Sequence, residues 1–283
     1  MLDQAHSLRN LFKNDVKEKV PKIITITSGK GGVGKSNIVV NIGIALQKNG
    51  KKVLILDADI GMGNDDVLMG LYPKYNLLDL LKGISIKDII LDGPYGLKLL
   101  PAGSGINVID ELTINERDYL INELENMNEF DYILIDTGAG VNRSILAFLK
   151  SSDEAIIVIT PEPTSITDSY SLIKTSIIND VSVPLNVIVN KVSNKNEGVT
   201  AFNNLSNAVE KFLFYKVKYF GSILEDKKLI EGVKKQVPFT ILYPKSDASK
   251  SIDLIAKRID MKEVFELSKT PKKVFKNLME LLS

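Results

Sequence analysis

The sequence predicts an α/β fold, a mostly parallel twisted sheet with helices on both faces, and three observations predict it. From Lys22 onward, short β-branched runs alternate with longer segments of helical period, the pattern of strand–helix–strand units. Several of those runs are apolar without alternation, as strands covered on both faces require. The chain is 283 residues long and 44% hydrophobic, enough for a single domain with a full core.

Taken in order, Leu2–Phe12 reads as a short helix, because Leu2, Ala5, Leu8, Leu11 and Phe12 share one helical face. Residues 13–21 (KNDVKEKVP) carry no periodic apolar face and end in proline, so they read as a linker. The expected strands are Ile23–Thr27, Val53–Leu56, Leu97–Leu100, Tyr132–Ile135, Ala155–Ile159, Leu185–Val189 and Tyr219–Ile223. Helical stretches between them include Asn37–Lys48, Glu116–Met127, Ser144–Lys150, Ser165–Ile178 and Thr200–Leu213. Pro271 then opens a last helix over 271–283. The expected organisation is therefore an N-terminal helix (1–12), a linker (13–21), one domain (22–269) and an amphipathic C-terminal segment (270–283).

Composition excludes whole classes of chemistry. With no cysteine and one histidine, His6, the chain has no thiolate nucleophile, disulfide framework, iron–sulfur ligand set or zinc finger. Carboxylates, lysines, hydroxyls and backbone must do the work. The net charge of +1 hides an asymmetry. Residues 1–210 hold 20 Lys+Arg against 26 Asp+Glu, whereas residues 211–283 hold 16 against 9. A basic C-terminal quarter suits an anionic surface, nucleic acid or lipid, and equally a solvated lysine-rich face. Met1–Val20 has no apolar core of signal-peptide length, and no run approaches a membrane-spanning helix, so the expected location is the cytoplasm.

Directly after the first strand comes SGKGGVGKSN, residues 28–37, which fits G-x-x-x-x-G-K-[ST] from Gly29 to Ser36 and runs into a helix. Such a loop, Gly29-Lys30-Gly31-Gly32-Val33-Gly34-Lys35-Ser36-Asn37, lets backbone amides approach phosphate oxygens at the positive end of a helix. Lys35 is placed to reach the outer phosphates of ATP or ADP, and the Ser36 hydroxyl to complete a Mg²⁺ shell. The fold class thereby narrows to a phosphate-loop NTPase domain. Lys30 is a second lysine with no evident job in a monomer. KGGVGKS resembles the deviant phosphate loop of the MinD/ParA ATPases, and the resemblance covers nearly the whole domain from Lys22. It implies that Lys30 crosses a nucleotide-sandwich homodimer to the partner's phosphates, so that catalysis requires dimerisation.

The second strand ends in LDADIGMGNDD, residues 56–66, which puts Asp57 and Asp59 at the C-terminal edge of the sheet, where α/β ligands bind. This stretch resembles the family's first switch, which implies that Asp59 activates the attacking water, Asp57 assists the metal site and Asn64 lies at the dimer face. YILIDTGAG, residues 132–140, ends a strand with Asp136, the expected carboxylate holding Mg²⁺ through water, and its glycines suggest a flexible turn. Gly138 stands where most of the family carries proline, which is similar to the FlhG/FleN flagellar regulators. By the same resemblance Asn190, in VIVNK, reads the adenine edge. In GSILED, residues 221–226, Leu224 replaces the family's usual proline.

At the C-terminus, Val274, Phe275, Leu278, Met279, Leu281 and Leu282 fill one helical arc, while Lys272, Lys273, Lys276 and Glu280 share the other side. The segment resembles the membrane-targeting helix of MinD-like proteins, implying contact with anionic headgroups. An amphipathic helix packed on the domain fits equally, and the two alternate if the helix docks in one nucleotide state only. At the N-terminus, DQAHSLR, residues 3–9, resembles the FlhG activator motif that acts on the signal-recognition-type GTPase FlhF. Asp3, Gln4, Ala5, Leu8 and Arg9 are the implied contacts. The leading expectation is a MinD-like ATPase switching between a cytoplasmic monomer and a dimer at the inner face of the membrane. It would control flagellar number or placement, with flagellar switch components as further partners. The alternatives are a division-site MinD, which leaves the N-terminal motif unexplained, and a ParA-like DNA-segregation ATPase using the basic C-terminal quarter.

Overall fold

The computed structural model describes residues 20–59, 63–101, 112–125, 127, 129–261 and 279. The expected N-terminal helix, most of the 13–21 linker and the C-terminal segment apart from Met279 lie outside the described residues. In chain order the elements are β1 (Lys22–Ser28), α1 (Lys35–Lys48), β2 (Val53–Ala58), α2 (Asp65–Met69), a 3₁₀ turn (Leu77–Lys82), α3 (Ile86–Ile89), β3 (Leu91–Asp92), β4 (Lys98–Pro101), α4 (Ile114–Glu125) and β5 (Tyr132–Ala139). There follow α5 (Arg143–Ser151), β6 (Glu154–Ile159), α6 (Pro163–Ile178), β7 (Leu185–Val192), α7 (Lys195–Leu213), β8 (Lys218–Leu224), α8 (Lys227–Lys235), α9 (Phe239–Leu242) and α10 (Asp247–Met261).

Eight strands form one sheet in the order β3-β4-β2-β5-β1-β6-β7-β8, parallel throughout except for the β3–β4 pair. Successive residues of each strand serve opposite faces. Ile24, Ile26, Ile55, Leu134, Ile156 and Ile188 pack with Ile38 and Ile42 of α1 and with Ile252, Ile255 and Ile259 of α10. On the other face Ile23, Leu54, Ile133 and Ile135 meet Leu120 and Leu124 of α4 and Phe148 of α5. Ile157, Val187 and Val189 are covered by Leu172 of α6 and Leu205 of α7. Met279 is buried in the cluster containing Leu120, Leu124 and Phe148, so at this residue the C-terminal segment is docked on the domain.

The seven expected strands are all present, and their ends are corrected in places. β3, two residues at the antiparallel edge, is too short to carry a period. β5 runs four residues beyond Ile135 because β1 and β2 both pair with it, Ala139 opposite Ser28 and Thr137 opposite Ala58. Gly138 therefore lies inside a strand rather than in a flexible turn, and the turn falls at Gly140, whose φ is 90°. α7 begins five residues before Thr200 because the Asn194 side chain caps it, accepting a hydrogen bond from the Glu197 amide at 3.0 Å. α10, outside the expected helices, buries Ile252, Ile255, Ala256 and Ile259, the i, i+3, i+4, i+7 spacing of an amphipathic helix.

Candidate nucleotide site

All the expected site residues within the described domain come from the C-terminal edge of four strands, β1, β2, β5 and β7. β1 sits between β5 and β6, and the chain leaves it for β2 on one side and reaches β6 on the other, so the crevice beyond β1 is the sheet's topological switch point. A cavity of about 630 Å³ opens there, lined among others by Gly31, Gly34, Lys35, Ser36, Asp59 and Asn64. Gly34 caps α1 with φ 90°, and no side chain caps the helix, which leaves first-turn amides directed at the cavity. A Cβ on Gly34 would lie 2.5 Å from Asn190 Nδ2, so both backbone angle and space demand glycine here.

β7 supports the loop from the far side. Asn190 Nδ2 donates to the Val33 carbonyl at 2.8 Å and Lys191 Nζ donates to the Gly32 carbonyl at 2.8 Å. Asn190 Oδ1 is buried and accepts no hydrogen bond within the protein, an acceptor available to a ligand's amino group. Lys191 holds φ 57°, a conformation uncommon for a residue with a side chain, and its amine rests on the loop.

Behind the loop lies a buried charge cluster. Lys35 Nζ donates to Asp136 Oδ1 at 2.5 Å, with both side chains 6% exposed or less. Asp57 and Asp136 are register partners on β2 and β5, and the Asp59 amide donates to Asp57 Oδ1 at 3.2 Å. Burial, reinforced by the Asp136 charge, pushes the Asp57 carboxyl up to about 7, against the opposing pull of the Asp59 and Asp65 amides and of Lys35. Asp136 is also raised by burial, which outweighs the contribution of Lys35. Among the described residues no three His, Cys, Asp or Glu side chains converge into a protein-only metal cage.

These shifts carry a pH dependence with a definite sign. Unfolded, Asp57 releases its proton near the ordinary 3.8, whereas folded it holds it to about 7. Its contribution to stability is full below the unfolded value and is lost as pH rises through the folded one. In metal- and nucleotide-free protein, Asp57→Asn is expected to flatten the decline in unfolding free energy between pH 5 and 7.5. Parallel urea titrations of the two proteins read this directly, and identical slopes would remove Asp57 from the cluster's titration.

Lys30 has partners within its own chain that its motif did not mark. Its amine donates to Glu162 Oε2 at 2.7 Å and to Thr164 Oγ1 at 2.9 Å, at the N-terminus of α6. The hydrogen bond from Lys30, reinforced by its charge, holds the Glu162 carboxyl below its ordinary range. Sequence reasoning also passed over Asp65 and Lys191. Lys191 adjoins an assigned residue and Asp65 lies inside the quoted 56–66 stretch without an assigned role, whereas Glu162 had no motif to mark it.

A glycine-rich loop opening a helix, an amine–carboxylate pair beneath it and acidic residues at the neighbouring strand ends define a phosphate-loop ATPase. A family model described as an AAA domain matches residues 21–191. The antiactivator FleN of Pseudomonas aeruginosa is 35% identical over 241 residues, covering 84% of this chain and 86% of FleN. The flagellum site-determining protein YlxH of Helicobacter pylori is 38% identical over 238 residues, covering 83% and 80% respectively. Among solved structures, MinD with Mg-ADP from Pyrococcus horikoshii superposes with a TM-score of 0.68 at 26% identity, covering 85% of this chain and 96% of that one. MinD in the MinC:MinD complex of Aquifex aeolicus gives 0.70 at 32% identity, covering 88% and 99%. The chain belongs to the MinD/ParA family of ATPases, in its FlhG/FleN flagellar-regulator branch.

Proposed function

We propose that this ATPase alternates between a cytoplasmic monomer and an ATP-bound dimer at the inner face of the membrane, controlling flagellar number or placement. The observation that carries the nucleotide reading is the cavity at β1, with the uncapped N-terminus of α1, Lys35 and Ser36 in its wall. Gly29 to Asn37 cradle the phosphates, Lys35 neutralises them, and Asn190 accepts from the adenine amino group. Ser36, Asp136 and Asp57 form a set of hard oxygen donors that fits Mg²⁺, the carboxylates through water, in keeping with an ion held chiefly by phosphate. When bound, the ion offsets charge on the phosphates. Asp59 orients the attacking water, and Lys30 stabilises charge on the partner subunit's nucleotide.

The two ends add the regulatory contacts. In this reading residues 270–283 detach from the domain in the dimer and meet anionic lipid through Lys272, Lys273, Phe275, Lys276, Leu278, Met279 and Leu282. The burial of Met279 supports the docked partner of that exchange. Among the described residues no helix is long and apolar enough to cross a membrane. Two weak anchors on one dimer act together, so ATP is expected to raise sedimentation with anionic vesicles. Replacing Phe275 and Leu278 with Glu should abolish that sedimentation without affecting hydrolysis by free enzyme. Equal sedimentation of a chain ending at Thr270 would place lipid binding elsewhere.

The N-terminal helix, through Asp3, Gln4, Ala5, Leu8 and Arg9, acts in this reading on an FlhF-type GTPase. Glutamine can orient a water and arginine can offset phosphate charge. A peptide of residues 1–21 is expected to stimulate GTP hydrolysis by the cognate GTPase, with Gln4→Ala or Arg9→Ala weakening it. Stimulation by the whole protein but not by the peptide would move the activating surface into the domain.

A further inference from the structure

Asp65, the first residue of α2, is the most completely buried carboxyl of the site. It is 0% exposed, and neither carboxylate oxygen has a hydrogen-bond partner within the protein. Carboxyls are almost never buried so fully without a partner, because desolvating the charge costs several kcal/mol. Helix capping does not account for it. The cap position is Asn64, which makes no side-chain cap hydrogen bond, and it is Asp66 whose Oδ1 accepts from a first-turn amide, that of Val67, at 2.8 Å. Asp65 instead faces inward, where its backbone amide donates to the Asp57 carboxylate, and Asp136, Asp57 and Lys35 are the charged groups that act on it most. Asn64, immediately before it, lines the nucleotide cavity.

We propose that Asp65 is a positioning residue for the divalent cation: its two free oxygens accept hydrogen bonds from the cation's water shell behind Asp57 and Asp136. This rests on the assignment of Ser36, Asp57 and Asp136 to Mg²⁺. Outer carboxylates of this kind orient bound water and ligands, and their loss typically costs 10–100-fold in metal affinity. Asp65 also begins the helix that follows Asp59 and Asn64, so holding its carboxylate fixes the far end of the segment that carries the water-activating residue.

The test is a Mg²⁺ titration of the full-length protein with a fluorescent ADP analogue, alongside melting temperatures in EDTA. Asp65→Val, which removes both acceptors, is expected to raise the half-saturating Mg²⁺ concentration about 10-fold or more. Asp65→Asn, which keeps the shape and one acceptor, should fall between Asp65→Val and wild type. Affinity for the analogue in EDTA should not change in either variant. If instead both variants need Mg²⁺ within twofold of wild type and melt higher, the carboxyl is only a structural cost and the proposal is overturned. Should wild-type binding itself prove indifferent to Mg²⁺, the underlying cation assignment fails first, and that result is distinct from a wild-type response that Asp65 does not alter.

Discussion

Lys35→Gln is expected to abolish nucleotide binding and to destabilise the fold in the same step. The Lys35 amine is the cation paired with Asp136, and both groups are withdrawn from water. Removing one partner of a buried ion pair leaves the other charge desolvated, a loss of roughly 3–5 kcal/mol. The double variant Lys35→Gln/Asp136→Asn should recover much of that stability, since no charge is then stranded, yet still fail to bind nucleotide. Denaturant unfolding and fluorescent-nucleotide titration of the single and double variants separate the two effects. Full binding by Lys35→Gln would show that the loop amides alone hold the phosphates.

Asp59→Ala is expected to keep ATP binding and lose hydrolysis by about 100-fold or more, the usual scale for a removed general base. Asp59 lines the cavity, and the chain has no histidine in the domain to replace it. With turnover blocked, this variant should accumulate as a dimer in ATP, whereas Lys30→Ala should not hydrolyse. The contact of Lys30 with Glu162 does not stand in the way. Those side chains are 37% and 58% exposed, and a screened surface pair of this kind contributes little against a desolvated contact with phosphate. Light scattering at saturating ATP reads the outcome, and a monomeric Asp59→Ala protein would falsify the coupling of nucleotide to assembly.

What was legible in the sequence was what lies close together along it. The phosphate-loop motif is ten contiguous residues running from the end of a strand into the start of a helix, and Asp57, Asp59, Asp136 and Asn190 each stand at or next to the end of an apolar run. Their convergence follows from strand ends sharing one edge of a parallel sheet. The Lys30–Glu162 contact was not legible, because it joins residues 132 positions apart and depends on β6 lying beside β1. Nor was Asp65: in the run Asn64-Asp65-Asp66 two adjacent acids look alike, and only the packing of α2 turns one to water and the other into the core. Strand lengths were misjudged where pairing on both sides, as at β5, extends a strand beyond its apolar run.

The placement of β1 between β5 and β6 has a consequence for how the chain comes to life on the ribosome. Among the described residues β1 pairs with no strand but these two, and they begin at residues 132 and 154. For most of the time the N-terminal half is being made, the strand that carries the phosphate loop has no neighbour to pair with. Closing contacts across so many residues is entropically slow, and unpaired apolar strands invite association meanwhile. A nascent chain halted before β6 emerges therefore exposes the edge of β1 that β6 covers in the finished protein, and nucleotide cannot assist folding until more than half of the polypeptide has been synthesised.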